Sequence, residues 1–182
     1  MFDTYWLWAF LTMFSFFMDL IAVNSKRIGS KPFFGFIFVS LPSGSRLILV
    51  LPFIEQPRFH FTDLTTLSLG FPILILGLFF AVAPVYHLGI INPFTRPERT
   101  EKLQTDGLYG IIRHPILFGE AIWPFGWSII FKSIPGFIFS FVWLTCLYLF
   151  TYTEEERLIE EHGETYTRYK QQVPRFFPRF RI

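Results

Sequence analysis

The residue types able to do chemistry are concentrated in two short polar segments. The first runs from Glu101-Lys102-Leu103-Gln104 through Gly107-Leu108-Tyr109 to Arg113-His114-Pro115, with Gly119 and Glu120 just beyond. Proline suits the first turn of a helix. His114 therefore falls at or near the N-cap, where unpaired amides and the positive end of the helix dipole receive anions. A carboxylate-bearing ligand fits there. Gly119, one turn in, lets a ligand or a neighbouring helix approach the backbone. Glu120 lies deeper in an apolar stretch, and an ionisable residue there is costly enough to be a functional candidate. It is suited to accept a proton from an amine or hydroxyl, or to neutralise a cationic acceptor. A structural pairing with Arg113 or Arg46 explains it equally well. The plainer reading of the whole segment is a capped helix with Arg113 and His114 at a membrane interface.

The second segment begins at Glu154-Glu155-Glu156, where another apolar stretch ends. A carboxylate held at a helix end beside a bilayer is placed to pair with a ligand ammonium or with ribose hydroxyls. Leu158, His162, Tyr166, Tyr169 and Val173 follow at spacings that put them on one helical face, although Gly163 weakens that helix. Glu160, Glu161 and Glu164 read as a solvated face. The tail Val173-Pro174-Arg175-Phe176-Phe177-Pro178-Arg179 has two prolines that bar a continuous helix, and its aromatics and arginines suit a membrane interface.

Composition indicates what must position these segments. Of 182 residues, 52% are hydrophobic and 16% charged, with 26 Phe, which exceeds what one water-soluble core can bury. Five apolar stretches approach or exceed the roughly 20 residues that a helix needs to cross a bilayer. They are Tyr5 to Val23, Phe33 to Ile54, Leu64 to Ile91, Pro115 to Phe131, and Ile134 to Tyr152. The second is interrupted at Pro42-Ser43-Gly44 and is either kinked or re-entrant. The third is expected to tilt, or to break near Pro72 and Pro84. The last two form a hairpin, with a turn expected at Pro135-Gly136. Five crossings put the basic clusters around Lys26, Arg96 and Arg168 on one side, so the amino end is expected outside and the carboxyl end in the cytoplasm. The expected fold is all-α, with residues 1–92 forming three spans and 93–182 carrying both polar segments. A lone Cys146 excludes a disulfide framework or a cysteine metal cluster, and His60 and His87 have no second ligand at helical spacing. No metal site is expected. Basic residues scattered among acidic ones form no nucleic-acid footprint.

Taken together, Gly107-Leu108-Tyr109, Arg113-His114-Pro115, Gly119, the glutamates, Leu158, Gly163, Tyr166, Tyr169 and Pro174-Arg175 with Pro178 resemble the isoprenylcysteine carboxyl methyltransferase family, whose signature phospholipid N-methyltransferases share. The resemblance covers residues 93–182. It implies an integral-membrane enzyme using S-adenosyl-L-methionine, with a pocket at the cytoplasmic face closed by a C-terminal helix and tail. Carried over by position, the cofactor contacts fall on Glu101, Lys102, Leu103, Gln104, Tyr109, His114, Pro115, Ile116, Leu117 and Glu154, with Glu155 beside it. Glu120 and Arg113 are the candidate catalytic residues. The cofactor's carboxylate would take the amides near His114, its ammonium a glutamate, and its adenine the lining around Leu103 and Tyr109. Leu117 stands where the family usually has Tyr. Leu149-Phe150-Thr151 stand where prenylcysteine methyltransferases place an Arg for the substrate carboxylate. The expected acceptor is a small apolar or lipid-like molecule entering sideways between the third, fourth and fifth spans. The competing readings are an NADPH-dependent membrane reductase of the sterol-reductase type and a non-catalytic membrane scaffold.

Overall fold

The computed structural model describes residues 4–24, 47–87 and 103–177. Among the described residues five α-helices follow in order: α1 (Thr4–Asn24), α2 (Asp63–His87), α3 (Pro115–Ile130), α4 (Ile134–His162) and α5 (Glu164–Gln172), with a 3-10 turn (Gly107–Gly110) ahead of α3. Among the described residues there is no strand, only an isolated antiparallel bridge between Arg58 and Ser133. Asp63–Pro84 and Ile134–His162 are each long and apolar enough to cross a membrane, while Thr4–Met18 is a shorter apolar stretch. Phe71, Ile75 and Phe79 of α2 and Phe141 and Leu149 of α4 are exposed, an outward apolar surface that lipid would cover. The expected second span lies mostly outside the described residues. Its end, 47–54, is a helical turn followed by tight turns, with Leu51 N–H donating to Ile48 O and Ile54 N–H to Leu51 O.

Glycines decide how α2 meets α3. A Cβ on Gly119 would lie 2.2 Å from Ala81 N, one on Gly77 2.3 Å from Trp123 N, and one on Gly126 2.4 Å from Leu74 N. The two antiparallel backbones are thus in direct contact, which is how small residues join helices where water supplies no hydrophobic drive. The neighbour that Gly119 admits is α2. α2 runs unbroken through Pro72 and Pro84, so of the two expected alternatives, tilt or breaks, the breaks do not occur. Each proline removes one ladder hydrogen bond, a loss that helices packed side by side tolerate.

On its other side α3 packs against α4, and α4 in turn against α1. Ala121, Trp143, Cys146 and Leu147 form one buried cluster with Leu117 and Phe16 against it, and Trp8, Leu49 and Val50 form another with Trp127 and Phe139. The α3–α4 turn falls at Lys132, whose φ is 58°, and not at Pro135-Gly136. That pair forms the first turn of α4 instead, because Ser133 caps the helix by accepting from Gly136 N–H at 3.0 Å and proline fits this position. At this end of the bundle Arg58 gathers backbone carbonyls. Its Nη1 donates to Phe131 O (2.6 Å) and Val50 O (3.2 Å), and its Nη2 to Leu51 O (2.8 Å) and Ile54 O (3.0 Å).

Candidate active site

Both polar segments meet at the opposite end of the bundle. α4 continues past its apolar part to His162 as one helix, so Glu154 and Glu155 are carried on a rigid rod above the membrane-length portion. Gly163 ends it with φ 57°, a left-handed conformation natural to glycine, and α5 folds back. The face expected to run through Gly163 is therefore split between two helices, with Tyr166 and Tyr169 buried on the second. The Tyr169 hydroxyl donates to Tyr109 O at 2.6 Å and ties α5 to the 3-10 turn. After α5, residues 173–177 cross the start of α3 as a strap. Arg113 N–H donates to Pro174 O (2.9 Å) and His114 N–H to Arg175 O (3.4 Å). Phe176 is buried in edge contact with His114, Phe118 and Tyr148.

Glu155, with a side chain 2% exposed, is the hub. Its Oε1 accepts from Arg113 Nη2 (2.7 Å) and Nε (3.1 Å), from Arg175 Nε (3.1 Å), and faces His114 Nε2 (3.3 Å). Its Oε2 accepts from Lys170 Nζ (2.8 Å) and Arg175 Nη2 (2.9 Å). One carboxylate therefore joins α3, α4, α5 and the strap. A buried charge of this kind is tolerated only when fully paired. Arg175 also lies 3.9 Å over the Tyr152 ring and 5.3 Å over Tyr148, a cation–π arrangement.

His114 bridges the two glutamates, its Nδ1 lying 2.9 Å from Glu154 Oε2. With a carboxylate oxygen against each ring nitrogen, both nitrogens are best satisfied as donors, which requires the imidazolium. Burial opposes that charge, but the hydrogen bonds to Glu154 and Glu155 win and raise the His114 pKa above its ordinary value. Burial pushes the Tyr169 phenol up to about 12, and burial with the Glu154 charge raises Tyr109 further. These phenols stay protonated at neutral pH, and Tyr169 is a donor.

The structure gathers Arg113, His114, Glu154 and Glu155 into one bonded cluster, with Tyr109 beside it. Of the three glutamates, Glu155 is saturated, Glu156 is exposed, and Glu154, with a side chain 26% exposed, is partly open. Arg113 spends its guanidinium on Glu155 and on Lys170 O and Val173 O, an arrangement that locks the strap. The His114 amide, expected to be open to a carboxylate, is taken by Arg175 O. Pro115 is buried at the first turn of α3, and Leu117 points into the core beside Ala121. Ile116, Leu103 and Gln104 are half-buried. Glu120 stands apart from the cluster. Its Oε2 accepts from Trp123 Nε1 at 2.9 Å, and Arg113, one suggested partner, is engaged by Glu155. Arg46, Glu101 and Lys102 lie outside the described residues. Sequence reasoning did not single out Lys170 as a member of this site, nor Gly70 and Gly77 as helix contacts. The seven-residue spacing that Gly70 and Gly77 share with Gly119 and Gly126 was the available signal.

Comparison with known proteins places this region within a family. The chain is 26% identical over 168 residues to a protein-S-isoprenylcysteine O-methyltransferase of Schizosaccharomyces pombe, covering 88% of this chain and 70% of that one. The family model for phospholipid methyltransferases matches residues 65–165, more than half of the chain and the stretch from α2 to the start of α5. The matched stretch includes α3 and α4 with their joined ends, and the chain is a member of the phospholipid methyltransferase family.

Proposed function

We propose that this protein transfers a methyl group from S-adenosyl-L-methionine to a small apolar or lipid-like acceptor at the cytoplasmic face of a membrane. The observation that carries the proposal is the convergence of His114, Glu154 and Tyr109 where the apolar helices end, with Glu154 the one carboxylate of its group both fixed and partly open. The donor set suits the cofactor. Glu154 offers an anion to its ammonium, while Tyr109 with the half-buried Leu103 and Gln104 offers a lining for its base.

When bound, the cofactor supplies an already activated methyl, so no protein nucleophile is required. The work left to the chain is alignment and exclusion of water. His114 fixes the rotamer of Glu154 through its Nδ1 hydrogen bond, and Arg113 and Glu155 position His114 in turn, so Arg113 serves as a positioning residue. The buried strap residue Phe176, with Phe118 and Tyr148, keeps water from the membrane side. Glu120 is the candidate to take a proton from the acceptor or to balance its charge, with Trp123 holding one carboxylate oxygen. Because α2 and α3 touch backbone to backbone at Gly77 and Gly119, a lipid-borne acceptor approaches along the flank of α4, past the exposed Tyr148, Tyr152 and Phe177.

The test is a titration of the purified, membrane-reconstituted protein with S-adenosylhomocysteine and, separately, NADPH. Saturable binding of the first alone is expected. Tighter binding of NADPH would favour a reductase, and binding of neither would leave a scaffold.

A further inference from the structure

Inside the bundle, between the two charged ends, α1, α3 and α4 leave a cavity whose wall includes Trp8, Thr12, Val50, Ser128 and Ser140. It measures about 10 Å³, counted as space open to the centre of a water, which is room for one molecule. Trp8 Nε1 and Thr12 Oγ1 are buried without a partner in the protein, in residues only 4% and 1% exposed. The two stand one turn apart on the same face of α1. Other helical hydroxyls nearby behave differently. Ser15 donates to Leu11 O at 2.8 Å and Ser140 to Gly136 O at 2.7 Å, each turning back onto its own helix. Thr12 makes no such bond. An indole N–H and a hydroxyl left unmet inside an apolar bundle are costly, since no bulk water reaches them there.

We propose that this cavity is a binding site for a single water, which accepts from Trp8 Nε1, hydrogen-bonds the Thr12 hydroxyl and forms the polar joint of α1 with α3 and α4. Ser140 Oγ spends its proton on Gly136 O and keeps lone pairs that accept from the water, so α4 supplies a further partner. Ser128 adds a hydroxyl from α3 to the same wall. Room for the molecule depends on Gly136, because a Cβ there would lie 2.7 Å from Ser128 Oγ and 2.9 Å from Val50 Cγ1. A hydrocarbon chain would satisfy neither the indole nor the hydroxyl. α1 also needs a joint of this kind, having no glycine through which to meet its neighbours as α2 meets α3. The site is independent of the methyl-donor reading.

The experiment uses full-length protein, isotope-labelled at the tryptophan indole nitrogens, in phosphatidylcholine nanodiscs. Magnetic cross-relaxation from each indole proton is recorded by NMR, and Trp8→Phe identifies the Trp8 signal by its loss. A cross-peak from the Trp8 indole to a long-lived water is expected. Its absence, or a cross-peak to lipid acyl protons in its place, would overturn the proposal. The second measurement turns on a sign. With water bound, Thr12→Val removes a hydrogen bond and should lower the unfolding temperature by about 2–4 °C, with Thr12→Ser closer to wild type. With no water bound, Thr12→Val merely deletes an unmet hydroxyl, and an unchanged or raised unfolding temperature would overturn the proposal as well. Should Thr12→Val lose its fold, the wild-type cross-peak decides alone.

Discussion

The two ends of the helical bundle solve the same joining problem with opposite charges. At one end a single arginine, Arg58, collects four backbone carbonyls from the 50–54 turns and the end of α3. At the other a single carboxylate, Glu155, collects four basic side chains from α3, α5 and the strap. Carbonyls are neutral and fixed in the backbone, so the Arg58 end leaves nothing to exchange with a ligand. Basic side chains bring full charges, and gathering four around one anion leaves a surplus and a second carboxylate, Glu154, drawn in through His114. One hub only holds the fold together, while the other also holds the carboxylate on which the proposed function rests.

The sharpest way to break this contrast is Glu155→Gln. It leaves three obligate cations facing one another inside the protein, and removing one partner from such a cluster costs about 3–5 kcal/mol. Thermal unfolding in detergent is expected to drop steeply, with loss of ligand binding. A mild effect would mean that water already screens the hub. Next in size is Gly119→Ala, which forces α2 away from α3; overpacking of this kind costs about 1–3 kcal/mol. Unfolding of the reconstituted protein should show it, whereas an unchanged midpoint would mean that the helices part freely.

Arg58→Met should follow, at about 1–3 kcal/mol for carbonyls left short of a donor. Unlike Glu155→Gln, it should leave affinity for S-adenosylhomocysteine intact in the fraction that remains folded. The pH response separates the ends further. His114 has a raised folded pKa, so its contribution to stability is fully present below the unfolded value of about 6.5 and is lost as pH rises through the folded value. Unfolding midpoints measured from pH 6 to 9 should therefore fall more in wild type than in His114→Asn, and parallel curves would remove the imidazolium from the account.

Much of this was legible in the sequence where local signals act alone. Apolar length located α1, α2, α3 and the start of α4, and Pro115 placed His114 at the N-cap where the structure has it. Signals that depend on a partner were harder to read. Pro135-Gly136 looked like a turn because nothing nearby announced that Ser133 would cap a helix through it. The Glu group was recognisable as a candidate, yet separating saturated Glu155 from open Glu154 required knowing which cations α5 and the strap would deliver across more than a dozen residues. Lys170 had no signal of its own, being one exposed lysine on a short polar helix until that helix folds back.

Equilibrium binding of S-adenosylhomocysteine to wild type and Glu154→Gln, with unfolding temperatures taken on the same samples, addresses the account at its centre. The expectation is saturable wild-type binding, weakened about tenfold or more in Glu154→Gln by loss of a charge-assisted pair, at nearly unchanged unfolding temperature. Equal affinity in the two proteins, or none in wild type, would contradict it.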